Sequence, residues 1–192
     1  MHIRAFFSIE LPLSAKEIIT EQLIIKLQKA LHHHTIHWTR KENLHVTLQF
    51  LSEIDAFDIG KLINNVKIAL ENTPSFYLAL GKPELFPSID QPRIVSLSAG
   101  PDEILTQLAK KIGNGILQSD YPIETRPYRG HLTLGKIKQF PQKKLALNQI
   151  DAPEFEKILV KEVVLFRSEP SEGGSQYTEL ARLALSNTQC QD

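Results

Sequence analysis

Two short stretches constrain this chain more than anything else in it: His45-Val46-Thr47-Leu48 and His131-Leu132-Thr133-Leu134. Both read His-x-Thr-Leu within apolar, strand-like runs. Successive side chains of a strand point to opposite faces, so in each copy His and Thr share one face and the apolar residues take the other. Each copy therefore presents an imidazole beside a hydroxyl. The chain has 7 His in 192 residues, and two of them meeting Thr and Leu at these offsets by chance has odds of roughly one in a thousand. Arg40 and Arg126 stand five residues before the two histidines, and Phe50 and Lys136 five residues after. This pattern predicts a repeated unit.

The rest of the chain reads as support for two such units. Ile3 to Leu11 is a buried strand stopped by Pro12, and Ser14 with Glu17 forms a capping box for a helix whose stripe is Ile19, Leu23, Leu27 and Leu31. Ile36 to Trp38 is a short strand. The first motif strand spans Leu44 to Leu51, and Asp55 or Asp58 caps a helix with Ile59, Leu62, Ile63, Val66 and Leu70 inward. Phe76 to Leu80 alternates as a strand before a Gly81-Lys82-Pro83 turn, and Phe86 to Pro92 reads as a loop. Ile94, Val95 and Leu97 make a strand, and Gly100-Pro101 opens a helix facing inward with Leu105, Leu108, Ala109, Ile112 and Ile116, its end weakened by Gly113 and Gly115. The second motif strand covers His131 to Ile137, followed by a connection from Phe140 to Ala152. Strands at Ile158 to Arg167 and Tyr177 to Leu185 flank a loop, Glu169 to Gly174, long enough to be mobile. The order suggests a single bilobal domain over 1–192 whose halves meet near 81–92.

Lys plus Arg and Asp plus Glu balance at 22 each, so no global positive field supports binding along a long nucleic acid. Any nucleic-acid substrate is engaged locally. The only cysteine, Cys190, permits no intrachain disulfide and fits a reducing compartment. The early apolar run from Ala5 to Ile9 is interrupted by Glu10 and Pro12, too short for a signal peptide or membrane span, and the expectation is a cytoplasmic protein with no membrane association.

Two imidazoles titrate near neutrality, so a pair brought to one cleft can work as acid and base, with the threonine hydroxyls as neutral donors. Cleaving a phosphodiester needs a base on the attacking oxygen and an acid on the leaving one, roughly opposite each other. Pseudo-symmetric halves supply that opposition.

The residues that carry these features extend into longer matches. Arg4-Ala5-Phe6-Phe7, Trp38 through Leu48, Arg126 through Lys136, Gly173-Gly174, Tyr177-Thr178 and Leu180 through Leu185 together resemble the RNA 2′,3′-cyclic phosphodiesterases, historically called 2′-5′ RNA ligases, of the two-histidine phosphoesterase superfamily. The resemblance implies an α+β fold of two pseudo-symmetric antiparallel β-sheets lining a central cleft, with helices packed outside and no metal or cofactor. It implies that His45 protonates the leaving 3′ oxygen while His131 activates water, giving a 2′-phosphate. Thr47, Thr133 and Lys136 would then contact phosphate. Proline usually precedes the second His in that family and arginine follows it by five residues, whereas this chain has Gly130 and Lys136. In a regular strand Lys136 faces away from His131 and Arg129 shares its face, unless a bulge reverses the parity, so both are candidate phosphate contacts.

Arg126, Tyr128 and Phe50 are further candidate substrate contacts; each also reads as an ordinary surface or core residue. The cluster His32, His33, His34 and His37 lacks a recognisable ligand pattern and reads as a solvated helix end rather than a metal site. Expected partners are RNA ends or small cyclic nucleotides, bound by a monomer. A non-catalytic RNA-end or nucleotide-binding module is the alternative. RNA ligation is the same chemistry with a 5′-hydroxyl in place of water.

Overall fold

The computed structural model describes residues 1–138, 147, 150, 152–172 and 174–187. Among these residues nine strands form one antiparallel sheet, eight of them in the order β7-β4-β5-β6-β3-β1-β8-β9 with β2 off that path. They are β1 (His2–Glu10), β2 (Ile36–Trp38), β3 (His45–Asp55), β4 (Phe76–Phe86), β5 (Ile94–Gly100), β6 (His131–Ile137), β7 (Ile158–Val160), β8 (Glu162–Ser171) and β9 (Gly174–Ala184). Two halves, β7-β4-β5-β6 and β3-β1-β8-β9, meet where Val46 of β3 pairs with Leu132 of β6, and β2 pairs with the far end of β6. This is the bilobal α+β arrangement expected, with the halves joined through the middle residues of the two motifs. Among the described residues no helix is long and apolar enough to cross a membrane.

The halves do not divide where the sequence pattern placed the boundary. β4, from Phe76 to Phe86, covers the first part of 81–92, and the half containing β1 and β3 is completed by β8 and β9 from later in the chain. The expected Gly81-Lys82-Pro83 turn is an irregularity inside β4, where the pairing with β5 slips between Leu80 and Pro83; a bulge is one of the few places a strand accepts proline. The expected strand from Ile158 is two strands, because Ile158–Val160 pairs with β4 in one half and Glu162 onward pairs with β1 in the other. Lys161 is the crossing point. The expected mobile loop at 169–174 is the tip of a hairpin in which Glu169, Pro170 and Ser171 pair with Gln176, Ser175 and Gly174. Gly173, Cys190 and most of the expected 140–152 connection lie outside the described residues.

The first helix is α1 (Leu13–Ile18), a π-helical stretch over Ile19–Ile24, and α2 (Ile25–Ala30). Its stripe of Ile19, Leu23, Leu27 and Leu31 is buried as expected. A spacing of four exceeds the 3.6 residues of an α-turn, so such a stripe drifts by about 40° per step. The wider π-turn takes up part of that drift and keeps the stripe inward. The capping box does not form: Pro12 occupies the cap, no side chain caps the helix, and Glu17 accepts from Lys41 at 3.1 Å. Asp55 caps the 3-10 turn Ala56–Asp58 that leads into α3 (Ile59–Ala69), while Asp58 accepts from the Tyr121 hydroxyl at 2.6 Å. α3 packs on α4 (Asp102–Leu117). Gly115, expected to weaken α4, is what lets the two helices approach, since a Cβ there would lie 2.6 Å from the Val66 Cα.

Candidate active site

The Val46–Leu132 pair sets the geometry of the site. In an antiparallel ladder the residues flanking a pair face each other. One step either way puts His45 across from Thr133 and Thr47 across from His131, on the face opposite Val46 and Leu132. Val46, Leu48, Leu132 and Leu134 are buried in the core, and the four polar residues are half-buried on the other side. The alternation read in each motif is thus realised twice, related by an approximate two-fold axis between the strands.

Both copies then break their ladder at the same residue. The pairing of β1 with β3 steps from Ser8–Thr47 to Phe7–Gln49, and that of β5 with β6 from Ser96–Thr133 to Val95–Gly135, so Leu48 and Leu134 are the extra residues of two equivalent bulges. A bulge reverses the face of everything after it. Lys136 pairs with Ile94 and so joins Ser96, Thr133 and His131 on the cleft face; Phe50 pairs with Phe6 and joins Thr47 and His45 in the same way. The equivalence of Phe50 and Lys136 seen in the sequence is therefore structural. Phe50 is 43% exposed with the Arg4 guanidinium 5.6 Å from its ring centroid, so it is not a core residue.

The two imidazoles are held alike. His45 Nδ1 lies 2.7 Å from the Asn43 carbonyl and His131 Nδ1 lies 2.9 Å from the Arg129 carbonyl, each two residues back along the chain. A carbonyl only accepts, so each Nδ1 carries the proton and each Nε2 is left to exchange one. Thr47 donates its hydroxyl to His45 Nε2 at 3.0 Å. Each ring also stacks on a phenylalanine: Phe6 of the adjacent strand β1 on His45 with centroids 4.7 Å apart, and Phe86 at the end of β4, two strands away, on His131 at 4.2 Å. Tyr177 closes over His45 edge-on at 5.4 Å. Burial pushes His45 down to about 4; the Asn43 carbonyl opposes that shift, and the charges of Lys16 and His131 add to it.

The remaining candidates take different places. The Arg129 guanidinium pairs with Glu84 and lies 5.1 Å from the Phe86 ring, so it braces the aromatic behind His131, while its carbonyl fixes the imidazole. The Tyr128 hydroxyl donates to the Thr47 carbonyl at 3.0 Å, and burial raises its pKa; its polar end ties the second motif's flank to the first motif. Arg126 pairs with Glu124 at the surface, and Arg40 donates to the Glu172 carbonyl at 2.6 Å. Two cavities adjoin the histidine side of the cleft. One of about 510 Å³ is bordered by His45, Phe166 and Tyr177, and one of about 480 Å³ by His37, Lys136 and Lys138; Arg40, Asn43, Ser175 and Tyr177 border both. A larger cavity of about 910 Å³ between Pro12 and residues 154–162 is bordered by neither motif histidine. His32 and His33 stack at 3.6 Å, and among the described residues no three metal-binding side chains converge.

Phe6, Phe86 and Tyr177 are the contacts the local sequence pattern did not assign to the histidines. They come from other strands, and only the cross-strand register decides that they meet the motif rings.

An approximate two-fold axis relates two backbone-locked imidazoles and two threonines across the cleft. The family model of the 2′-5′ RNA ligase superfamily matches residues 17–172, and the chain belongs to that family. It is 32% identical over 100 residues to the RNA 2′,3′-cyclic phosphodiesterase of Bacillus subtilis (strain 168), a match covering 52% of this chain and 54% of that protein, so it spans about half of that relative. It is 26% identical over 184 residues to the protein of the same name from Methanothermobacter thermautotrophicus, 94% of this chain and 97% of the other. The crystal structure of E. coli LigT complexed with 3′-AMP superposes with a TM-score of 0.78 at 28% identity, covering 97% of this chain and 100% of that one.

Proposed function

We propose that this protein hydrolyses 2′,3′-cyclic phosphate ends of RNA or of small nucleotides to 2′-phosphates without a metal, one bilobal unit supplying both halves of the site. The observation that carries this reading is the Val46–Leu132 register, which sets each histidine opposite the other motif's threonine with its Nδ1 locked on a backbone carbonyl. The full-length similarity to RNA 2′,3′-cyclic phosphodiesterases and to a LigT structure holding 3′-AMP supports the substrate class.

In this mechanism His131 Nε2 takes a proton from water as the water oxygen attacks phosphorus. The bond from phosphorus to the 3′ oxygen breaks on the opposite side, and His45 Nε2 gives that oxygen its proton. Thr47 and Thr133 donate to the non-bridging oxygens, and Lys136, on the same face, offsets their charge as a point cation. Phe50 offers an exposed ring for a base to stack on. Arg129 and Tyr128 position the motifs, and Arg126 takes no part. Ligation is the same displacement with an RNA 5′-hydroxyl as the nucleophile in place of water, giving a 2′-5′ linkage, and the cavity bordered by Lys136, Lys138 and Arg40 is where a second strand would find positive charge.

Incubation with a 2′,3′-cyclic nucleotide and with cyclic-ended RNA, followed by identification of the phosphate isomer, tests the reading. It expects the 2′-phosphate, formed equally well with chelator present. A 3′-phosphate would reverse the assignment of the leaving oxygen, and binding without turnover would favour the non-catalytic module.

A further inference from the structure

The two-fold relation between the motifs extends to a pair of residues that neither the motif nor its chemistry brings in. Ser8 of β1 pairs with Thr47, and Ser96 of β5 pairs with Thr133. Paired residues of antiparallel strands point to the same side with Cβ atoms about 5 Å apart, so each serine lies beside the motif threonine on the cleft face. Both serines are 0% exposed, and among the described residues neither Oγ has a hydrogen-bond partner. A buried hydroxyl left unpaired opposes folding by an amount comparable to a lost hydrogen bond. Two of them at equivalent positions under the two motifs, where alanine fits the same space, are a stability cost concentrated at the site.

We propose that Ser8 and Ser96 are positioning residues for the phosphate. Each serine O–H donates to the threonine Oγ one strand away when an anion is bound, so that the threonine keeps its own proton for a non-bridging phosphate oxygen. On the first side, Ser8 has Thr47 across one strand and the apolar Val164 across the other. Thr47 bonds His45 Nε2 in the protein alone, so turning it toward phosphate also releases that nitrogen. On the second side Ser96 also pairs with Glu84, whose Oε1 is buried without a partner and competes for the same proton. The Ser96 effect is accordingly the smaller one.

The inference rests on the anion site of the proposed function, and binding of inorganic phosphate tests it apart from turnover. Calorimetric titration with phosphate and thermal unfolding are compared for the unsubstituted protein, Ser8→Ala, Ser96→Ala, Thr47→Ala and Ser8→Ala/Thr47→Ala. Ser8→Ala is expected to unfold at the same or a higher temperature yet bind phosphate about 3- to 10-fold more weakly. Ser96→Ala is expected to shift the same way by less. The double variant is expected to bind no more weakly than Thr47→Ala alone, because the serine acts through that threonine. A lower unfolding temperature with unchanged phosphate binding would make the serines structural and overturn the proposal, as would additive losses in the double variant. If phosphate binding follows the expected pattern while no cyclic phosphate is hydrolysed, the proposal stands and the hydrolytic function fails.

Discussion

A buried imidazole with a pKa near 4 is protonated in about one molecule in a thousand at pH 7. His45 is therefore neutral in the protein alone, and to serve as the acid it must gain a proton with the substrate. A phosphate anion beside Nε2 favours the charged ring, since an opposite charge at hydrogen-bond distance raises a histidine pKa. NMR titration of the His45 ring is expected to show a neutral imidazole down to about pH 5 and a clear upward shift on adding phosphate; an unshifted ring would move the acid role to His131. The same depression links to stability. The folded value lies below the usual ~6.5 of an unfolded histidine, so the unfolded chain holds the extra proton between the two values. Stability from this group is full above pH ~6.5 and falls by roughly 3 kcal/mol as pH drops to 4. Denaturant unfolding at pH 7 and pH 4.5 is expected to show a smaller acid loss for His45→Asn than for the unsubstituted protein, and equal losses would refute the buried-histidine account.

At the scale of elements, periodicity was readable wherever one face is buried and the segment regular. The stripe Ile19-Leu23-Leu27-Leu31 and the inward positions of α4 are where the spacing predicts them. The errors sit at irregularities and long-range pairing. No local signal separates a proline in a turn from a proline at a bulge, which is how β4 came to look like a strand and a turn. Nor does composition show that Lys161 passes the chain from one half of the sheet to the other. The face of Lys136 is the instructive case: strict alternation gives the wrong side, and the bulge at Leu134, invisible in the residues themselves, corrects it. Glycines divide the same way by context. Gly115→Ala pushes a Cβ into the α3 backbone and is expected to destabilise by about 1–3 kcal/mol. Gly60, with nothing within 4 Å of its would-be Cβ, is expected to gain roughly 0.5–1 kcal/mol on conversion to alanine. Thermal unfolding of the two variants checks this, and similar shifts in both would contradict the close α3–α4 packing.

Over the whole molecule, the chemistry was more legible than the path of the chain. Two copies of a four-residue pattern revealed the pseudo-symmetry and both imidazoles, because an imidazole and the hydroxyl beside it lie two residues apart in one strand. The supporting residues were hidden because they come from strands far away in sequence: Phe6 and Phe86 behind the rings, Ser8 and Ser96 beside the threonines, Glu84 behind Arg129. Phe6 and Ser8 are placed by the half that β1 forms with β3, and Glu84, Phe86 and Ser96 by the half that β4 and β5 form with β6. Arg129 and Tyr128 were found beside the motif, yet their side chains bond to Glu84 and to the Thr47 carbonyl, which makes them braces for the cleft.

The central claim is that His45 and His131 form one opposed acid and base pair. Its most direct test is the rate of 2′,3′-cyclic nucleotide hydrolysis by the unsubstituted protein, His45→Ala and His131→Ala, each variant first shown to be folded. The pair predicts a loss of at least about 100-fold in either variant; a variant that retains most of the rate would contradict it.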